Sequence, residues 1–350
     1  MSLSPFDHPL LGGLLGDPEL AASLTAEAEL AAMLAFESAL AEAEAKLGVI
    51  PAAAAVEISR AVTGFRPDMV QLAAATARDG VVVPDLVAQL RTVVGEPHAR
   101  YVHHGATSQD VVDTALIMRL NAAAQVLDRR LAAVIGRLEK LAAAEGGRTL
   151  MGHTRMQRAR PVLLARKVAS WREPLLRHRR RLAELAPRLF VVQLGGAVGD
   201  RAELATYGDA VADHLADALG LGRSPQAWHN ERDGLGEFAS WLSLIGGSLG
   251  KLGMDIALMA QNEIGELRLR SAGRSSAMPE KSNPVAAEAL VALGRFNSTL
   301  VGGFQGALIH ENERSGSAWM VEWMILPQMV LATGGGLRIA ADLLSAVEWS

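Results

Sequence analysis

One run of the sequence, residues 273–284, carries side chains suited to proton transfer and to binding an anion. Within nine residues it holds the hydroxyls of Ser275 and Ser276, the ammonium of Lys281 and the amide of Asn283. The run has no helix or strand periodicity and is bracketed by Gly and Pro, which predicts a loop. An ammonium can hold a carboxylate, and a serine oxygen with a lowered pKa can take or give a proton. We therefore expect this loop to fold over an anionic substrate.

A second polar cluster precedes the longest helical pattern of the chain. Thr107 can cap that helix, and Asp110 then lies at the third helical position, where a carboxylate suits the helix dipole. Capping accounts for these two residues but leaves the adjacent His103 and His104 and the extra hydroxyl of Ser108 unexplained. Polar groups at a helix N-terminus favour anion binding. The cluster is therefore a second candidate part of a substrate site.

Two more polar runs, residues 151–161 and 310–323, also precede predicted helices. The first carries Arg155 and Gln157, and the second carries Arg314. A guanidinium can grip a carboxylate through two parallel N–H groups. Both arginines are therefore candidates to bind an acidic substrate.

The elements that must position these runs are predicted to be long helices. Ala, Leu, Glu and Arg are abundant while aromatic residues make up 4% of the chain, a composition that favours helix. After Thr107, apolar residues recur every seven positions along a helix of roughly forty residues. Further long helices are predicted from Pro161, over residues 233–268, from Pro284 to about residue 310, and after Gly316. Helices of this length are typical of a bundle.

The first hundred residues show shorter helical patterns. Thr25 can cap the first of them, and Gly- and Pro-containing breaks follow at residues 64–67 and 95–97. Residues 1–24 are punctuated by Gly and Pro and are expected to wrap a neighbouring element. We predict an all-α chain with an N-terminal helical domain over 1–100 and a central long-helix bundle domain over 101–350, which would carry the polar runs.

Composition and charge narrow the function further. The chain has 350 residues, a net charge of −4 and no cysteine, which fits a reducing compartment and excludes a disulfide framework. It lacks the pattern of a signal peptide, and its uncharged windows are too short to span a bilayer. We expect a cytoplasmic protein with no membrane partner.

A basic band between residues 148 and 188 holds twelve Lys and Arg against two Asp and Glu. The band can face an anionic substrate, or it can pair with acidic helices and solvent. Aromatic residues are too few for a base-stacking surface, so no nucleic-acid partner is expected. No metal-ligand pattern such as H-E-x-x-H occurs, and neither a metal nor a cofactor is expected.

These runs resemble the shared regions of the fumarase/aspartase superfamily. The loop matches G-S-S-x-M-P-x-K-x-N-P in register at Ser275, Ser276, Met278, Pro279, Lys281, Asn283 and Pro284. It departs at Arg274, where the family has Gly. The cluster before the longest helix matches H-x-G-x-T-S-x-D, which implies substrate contacts for His103, Thr107 and Ser108. The resemblance likewise implies substrate contacts for Ser276, Met278 and Asn283.

A departure in the third run is informative about the reaction. The family pattern G-R-T-H-x-Q-x-A-x-P is matched at Gly152, Thr154, Gln157, Ala159 and Pro161, but the histidine of the pattern is Arg155 here. A lyase that expels an amine must protonate it, and arginine, with a pKa above about 12, cannot donate that proton near neutral pH. Arg155 therefore favours a reaction whose nucleophile or leaving group is a stable carboxylate.

The fourth run, with its W-x-x-E-W ending, resembles the 3-carboxy-cis,cis-muconate cycloisomerases (lactonizing enzymes) of the same superfamily. This resemblance implies an isomerase that converts 3-carboxy-cis,cis-muconate into 4-carboxymuconolactone, in the β-ketoadipate pathway of protocatechuate and aromatic catabolism. It implies Ser275 as the proton-transferring residue, with His103 as a possible acid and Lys281 as an anion-stabilising residue. It also implies a homotetramer whose active sites are shared between subunits and take a small polycarboxylate substrate.

Two other functions stay open at this stage. One is adenylosuccinate lyase or another C–N lyase of the same superfamily, against which Arg155 and the absence of a His-Asp pair upstream of His103 argue. The other is a non-catalytic helical assembly, like the lens proteins derived from lyases. Relatives often continue into a further C-terminal helical domain, whereas this sequence ends at Ser350. We therefore expect that domain to be truncated.

Overall fold

The computed structural model describes residues 4–278 and 280–350. Pro279 of the loop motif lies outside the described residues. The helices are α1 (Gly12–Leu15), α2 (Pro18–Ala22), α3 (Ala26–Lys46), α4 (Ala52–Gly64), α5 (Met69–Asp79), α6 (Val83–Val94), α7 (Ser108–Glu145), α8 (Leu164–Leu189), α9 (Gly208–Leu219), α10 (Asp233–Met259), α11 (Val285–Gly306) and α12 (Gly316–Ala346). The strands are β1 (Thr149–Thr154), β2 (Gln157–Leu163), β3 (Leu267–Leu269) and β4 (Val347–Trp349). Two antiparallel pairs, β1 with β2 and β3 with β4, are the sheets of the described chain. The predicted all-α class is confirmed.

Five long helices, α7, α8, α10, α11 and α12, form a bundle around one hydrophobic core. The seven-residue apolar pattern lies at the centre of this core, since Leu120, Leu127 and Val134 of α7 are completely buried. The long helix predicted after Thr107 is therefore confirmed, and its buried face explains the spacing. The predicted helix after Gly316 is confirmed as well.

Small residues bring α10 and α11 into close contact. A side-chain carbon at Gly253 would lie 2.5 Å from the carbonyl oxygen of Ala287, and one at Gly294 would lie 2.6 Å from that of Gly246. Contacts this short cannot be accommodated without separating the helices. These glycines therefore serve packing.

The shorter N-terminal helices pack around α3 in a second apolar cluster, which also takes in α9 and the start of α7. Thr25 caps α3, as predicted, by accepting a hydrogen bond from the backbone N–H of Ala28 at 3.2 Å. The segment that precedes α3 wraps the bundle, as expected. Asp17 binds Arg130 of α7, and Arg338 of α12 donates to carbonyl oxygens of residues 13, 14 and 16.

Three predicted helix boundaries are wrong. The helix expected from Pro161 begins at Leu164, because residues 149–163 form the β1–β2 hairpin and Pro161 lies within β2. The helix expected to reach residue 268 ends at Met259, and the chain then turns through residues 260–265, where Gly265 has φ of 58°, before β3 begins. The helix expected to reach residue 310 ends at Gly306, where local backbone bonds close its last turn.

Two helices, α10 and α12, are long and apolar enough to cross a membrane by length and composition alone. The share of the most apolar window that is buried inside the chain is 44% for α10 and 61% for α12. Both helices supply the bundle core, so packing accounts for their apolar character. The prediction that no window is long enough to span a bilayer considered only uncharged windows. It therefore underestimated how long and apolar these two helices are.

Candidate active site

The N-termini of α7 and α12 meet at one end of the bundle and bring two of the predicted runs together. Arg314, which precedes α12, donates from Nη1 to Oγ1 of Thr107 at 2.6 Å. Thr107 is the N-cap residue of α7, as predicted, and Ser108 is the first residue of that helix and half-buried. An exposed guanidinium, two hydroxyls and the N-termini of two helices therefore lie at the same end, which is an arrangement that suits an anion.

Asp110 does more than cap α7. Its buried carboxylate accepts hydrogen bonds from the backbone N–H groups of Thr107 at 2.9 Å, Gly195 at 2.8 Å and Gly196 at 2.9 Å. Nε2 of His229 also lies 2.8 Å from it. This carboxylate ties the start of α7 to two distant segments, which the sequence interpretation of Asp110 as a simple capping residue missed.

A buried ion network fixes α12 against α7 one turn below. The guanidinium of Arg232 contacts Asp113 at 2.6 Å and Glu322 at 2.5 Å, and all three side chains have no exposed surface. Burial opposes the charge of Arg232, but the two carboxylates outweigh it and raise the pKa of this guanidinium. Trp319 donates its indole N–H to Asp113 at 3.0 Å. Arg232 is therefore enclosed and positions α12.

The two histidines of the second run contact carboxylates of α3. His103 Nδ1 lies 2.6 Å from Oε1 of Glu37, and His104 Nδ1 lies 3.0 Å from Oε1 of Glu44. The His103 side chain is 14% exposed, and its backbone has φ of 62°, in the left-handed region. A non-glycine residue there stores strain of about 1–3 kcal/mol, which the surrounding contacts must offset.

The loop that carries the serine pair is closed at its base. Gly273 and Asn283 exchange two backbone hydrogen bonds, of 2.8 and 3.0 Å, so the residues between them form one excursion from the bundle. Within it, Ser275 Oγ accepts from the N–H of Met278 at 3.0 Å. The side chain of Lys281 is exposed, as are Ser276 and Met278. A ligand can therefore reach the hydroxyl and ammonium groups from solvent.

Arg155 lies at the tip of the β1–β2 hairpin. Thr154 pairs with Gln157, which leaves Arg155 and Met156 as a two-residue turn with φ of 49° and 65°. Positive φ at both positions is the type I′ geometry. Arg155 and Gln157 are exposed, so the hairpin presents them to whatever approaches the tip.

Gly152 makes a bulge in β1 possible. The register between β1 and β2 shifts between Met151 and His153. A side-chain carbon at Gly152 would lie 2.7 Å from the carbonyl oxygen of Arg160. Only glycine fits without moving the opposite strand, so the bulge that aims the hairpin depends on this residue.

Within one chain the predicted site residues fall into two groups at opposite ends of the bundle. The helix α7 is about 57 Å long and α12 about 46 Å, from 1.5 Å per residue. Thr107 and Arg314 lie where these helices begin. The hairpin follows the end of α7, and the loop follows β3, which pairs with β4 at the end of α12. A site that uses all of these residues needs more than one chain.

The hairpin and the β3–β4 pair share one end of the bundle. The N–H of Met151 donates to Oε1 of Glu266 at 3.1 Å, and the N–H of Arg270 donates to the carbonyl oxygen of Ala346 at 3.0 Å. Arginines of the basic band lie mostly at the surface. Arg179 is exposed and pairs with Asp128 of α7, and the arginines of the hairpin are exposed as well.

A cavity in the described part of the chain lies apart from these residues. It has a volume of about 720 Å³ and lies between α3, α5, α6, α7 and α12, with Leu72, Leu116 and Trp323 among its lining residues. Its wall is mainly apolar, apart from groups such as the Arg119–Glu29 ion pair. Among the described residues, no group of three His, Cys, Asp or Glu side chains has the arrangement of a metal site.

Comparisons with known proteins are in keeping with this architecture. A family model described as lyase matches residues 17–295. A 3-carboxy-cis,cis-muconate cycloisomerase of Pseudomonas aeruginosa is 42% identical over 315 residues, which are 88% of this chain and 69% of that protein. The structure of the 3-carboxy-cis,cis-muconate lactonizing enzyme from Pseudomonas putida superposes with a TM-score of 0.92 at 39% identity, covering 98% of this chain and 78% of that one. A fumarate lyase from Mesorhizobium sp. BNC1 gives a TM-score of 0.91 at 34% identity, covering 97% and 78%.

Proposed function

The chain belongs to this lyase family, with the long-helix fold of the fumarase/aspartase superfamily, and from that premise we propose that it is a 3-carboxy-cis,cis-muconate cycloisomerase. The enzyme converts 3-carboxy-cis,cis-muconate into 4-carboxymuconolactone, a step of protocatechuate breakdown. The relatives with this activity in their names are similar over most of the chain. Within the family, the observation that favours this activity over that of a C–N lyase is Arg155. It lies at the exposed hairpin tip, where the family pattern has a histidine.

The reaction needs an anion-binding site more than a strong acid. One substrate carboxylate oxygen bonds to a carbon of the conjugated diene, and the electrons of that double bond move toward a second carboxylate, giving an enolate-like intermediate. A proton then bonds to the adjacent carbon. Three side chains supply positive charge for the three carboxylates of the substrate, namely Arg155, Arg314 and Lys281. Their N–H groups stabilise the intermediate most strongly at the carboxylate where its negative charge develops.

Hydroxyl and amide groups complete the site in this proposal. Ser275 gives its Oγ proton to the carbon, and Lys281 stabilises the alkoxide that remains. The imidazolium of His103 returns a proton to Ser275, and solvent reprotonates His103. Five further residues contact substrate, namely Thr107, Ser108, Gln157, Ser276 and Asn283. Met278 gives the loop an apolar contact. No cofactor or metal takes part in the proposed chemistry.

The active enzyme in this proposal is a cytoplasmic homotetramer with shared sites. Support comes from the separation of Thr107 and Arg314 from the loop and hairpin by the length of the bundle. Partner chains that run antiparallel place a loop and a hairpin beside the first chain's helix N-termini, so that each site draws residues from three chains. We also propose that residues 1–100 act as the N-terminal domain and 101–350 as the bundle domain of each subunit.

A spectrophotometric assay tests the function. Purified protein is mixed with 3-carboxy-cis,cis-muconate and, separately, with adenylosuccinate, and the ultraviolet absorbance of each is followed. We expect loss of the conjugated-diene absorbance with the first substrate and no change with the second. Turnover of adenylosuccinate alone would replace the proposal by a C–N lyase. Turnover of neither would favour a non-catalytic helical assembly.

The C–N lyase is the second candidate because its fold is the same and a fumarate lyase is also a structural neighbour. Arg155 is the residue that separates the two reactions, since a guanidinium cannot protonate a leaving amine. In Arg155→His a proton donor returns to the hairpin tip. If the protein were a C–N lyase, this variant would raise adenylosuccinate cleavage, whereas we expect it only to weaken binding of the tricarboxylate.

A further inference from the structure

Two buried glutamates on one face of α3 each hold one of the adjacent histidines that precede α7. Glu37 contacts His103 Nδ1 at 2.6 Å, and Glu44 contacts His104 Nδ1 at 3.0 Å. The glutamates are seven residues apart, or two helical turns, and so point the same way. Their side chains are 1% and 0% exposed. The structure thus contains two carboxyl–imidazole pairs with the same composition.

The two pairs cannot hold the same charge. In each carboxyl group the second oxygen, Oε2, is buried without a hydrogen-bond partner among the described residues. Two ionised carboxylates enclosed on one helix face would both lack solvation and would repel each other. Burial, and then the charge of Glu37, raise the pKa of Glu44 to about 9. Glu44 is therefore protonated at neutral pH and donates to His104 Nδ1, which requires a neutral imidazole.

His103 has the opposite state. Burial opposes protonation of its ring, but the charge and hydrogen bond of Glu37 and the charge of Asp110 outweigh burial and the opposing charge of Arg91, so the pKa of His103 is raised. Its side chain is 14% exposed, and Nδ1 is held by Glu37. Nε2 is therefore the ring nitrogen left to meet a ligand.

We propose that Glu37 is a positioning residue that keeps His103 as an imidazolium with Nε2–H directed outward, while Glu44 and His104 form the neutral counterpart. Only one of the two adjacent histidines then supplies a proton. The proposal rests on the proposed lactonisation, in which the proton passes from His103 Nε2 to Ser275 Oγ as Ser275 protonates the carbon, and water returns a proton to Nε2. It assigns functions to Glu37 and Glu44, two residues that lie outside the sequence motifs.

The first test is the pH profile of kcat/KM in Glu37→Gln. Without the carboxylate, the pKa of His103 falls. The high-pH limb of the profile, along which kcat/KM decreases, therefore moves to lower pH by about 1 unit. Glu27→Gln is the matched control, because Glu27 lies on the same helix, is exposed and is outside the proposed site. We expect its profile to match the wild type. A Glu37→Gln limb that coincides with that of Glu27→Gln would overturn the proposal.

The second test does not depend on turnover. The ring signals of ¹³Cε1-histidine-labelled, ligand-free protein are titrated by NMR, and the His103 signal is assigned by its loss in His103→Gln. We expect His103 to titrate above the ordinary imidazole pKa of about 6.5, and to shift down by about 1 unit in Glu37→Gln but not in Glu44→Gln. The titration of His103 in the unsubstituted protein needs no glutamate variant, so it remains a test even if Glu37→Gln fails to fold.

The outcomes separate this inference from the proposed function. If the protein does not turn over 3-carboxymuconate but His103 titrates as expected, the proposed function is wrong. The inference that the Glu37–His103 pair is charged and the Glu44–His104 pair is neutral then still holds. If the protein is active but His103 titrates at or below the ordinary imidazole pKa of about 6.5, the inference is wrong. An equal downward shift in Glu37→Gln and Glu44→Gln would mean that both glutamates are ionised, which also contradicts it.

Discussion

At the residue scale, the side chains divide into those that are locked within the chain and those that remain available. Arg232 is enclosed by Asp113 and Glu322, whereas Lys281 and Arg155 are exposed. Ser275 is intermediate, since its oxygen accepts a backbone N–H while, among the described residues, its own hydroxyl donates to no acceptor. Lys281, Arg155 and Ser275 can therefore take part in binding or proton transfer, whereas Arg232 cannot.

Ser275→Ala tests the proton-transferring residue. The change removes the hydroxyl but no charge, so we expect kcat to fall by about 10²–10⁴-fold with little change in KM. Ser282→Ala, in the same exposed loop but outside the motif, is the control and should retain wild-type kcat. Steady-state kinetics with 3-carboxymuconate checks both. A Ser275→Ala variant that keeps most of its turnover number would remove Ser275 from this role.

Some residues of the site could be predicted from the sequence and others could not. The polar run before α7 and the run before α12 predicted Thr107 and Arg314, and the structure brings their side chains together. Glu37 and Glu44 were missed because glutamate within an Ala-rich helix gives no sign that it is buried. Their partners lie sixty or more residues away in sequence, and no local spacing records such a contact.

At the element scale, helices followed from periodicity while the hairpin did not. The seven-residue apolar repeat predicted α7 because its burial is continuous along the helix. The β1–β2 hairpin was missed because its two-residue turn is Arg155-Met156, whereas sequences that favour a type I′ turn usually have Asn-Gly or Asp-Gly. The bulge at Gly152 and the tertiary contact of Met151 with Glu266 stabilise this hairpin, and neither is encoded in local propensity.

Arg232→Met tests the ion network that joins α7, α10 and α12. The variant keeps an apolar side chain of similar length but leaves Asp113 and Glu322 buried without their countercharge, so we expect the free energy of unfolding to fall by about 3–5 kcal/mol. Arg188→Met removes an exposed ion pair with Glu237 and should cost about 0–1 kcal/mol. Urea unfolding at one protein concentration compares them. Equal losses in the two variants would show that the network contributes no more than a surface pair.

The raised pKa of Glu44 in α3 predicts that the stability of the protein depends on pH. The pKa of Glu44 is raised from 4.5 to about 9 on folding, so between these values the native state holds a proton that the unfolded state has lost. Stability from this group is therefore fully present below the unfolded pKa and is lost as pH rises. In Glu44→Gln the side chain cannot ionise, so its stability relative to the wild type should grow from pH 5 to pH 9. A constant difference in urea unfolding across that range would contradict this.

At the scale of the whole molecule, the proposed site residues fall into two groups, each of which would be a half-site. One end of the bundle presents Thr107 and Arg314, and the other presents the hairpin and the serine loop, separated by helices about 46–57 Å long. No rearrangement of a packed bundle brings its two ends together, because this would break the core. The sequence motifs identified both half-sites but could not show that they lie apart, since distance between them depends on the direction of each helix.

Complementation between two inactive variants tests the shared site most directly. His103→Gln inactivates one half-site and Lys281→Ala the other, and each homo-oligomer should have little activity. If the half-sites of one active site come from different chains, equal co-expression places both intact halves together in about one quarter of the sites. We therefore expect mixed oligomers to regain about a quarter of wild-type kcat with 3-carboxymuconate. Mixed oligomers no more active than the separate variants would show that each site uses His103 and Lys281 of one chain, and would contradict the account.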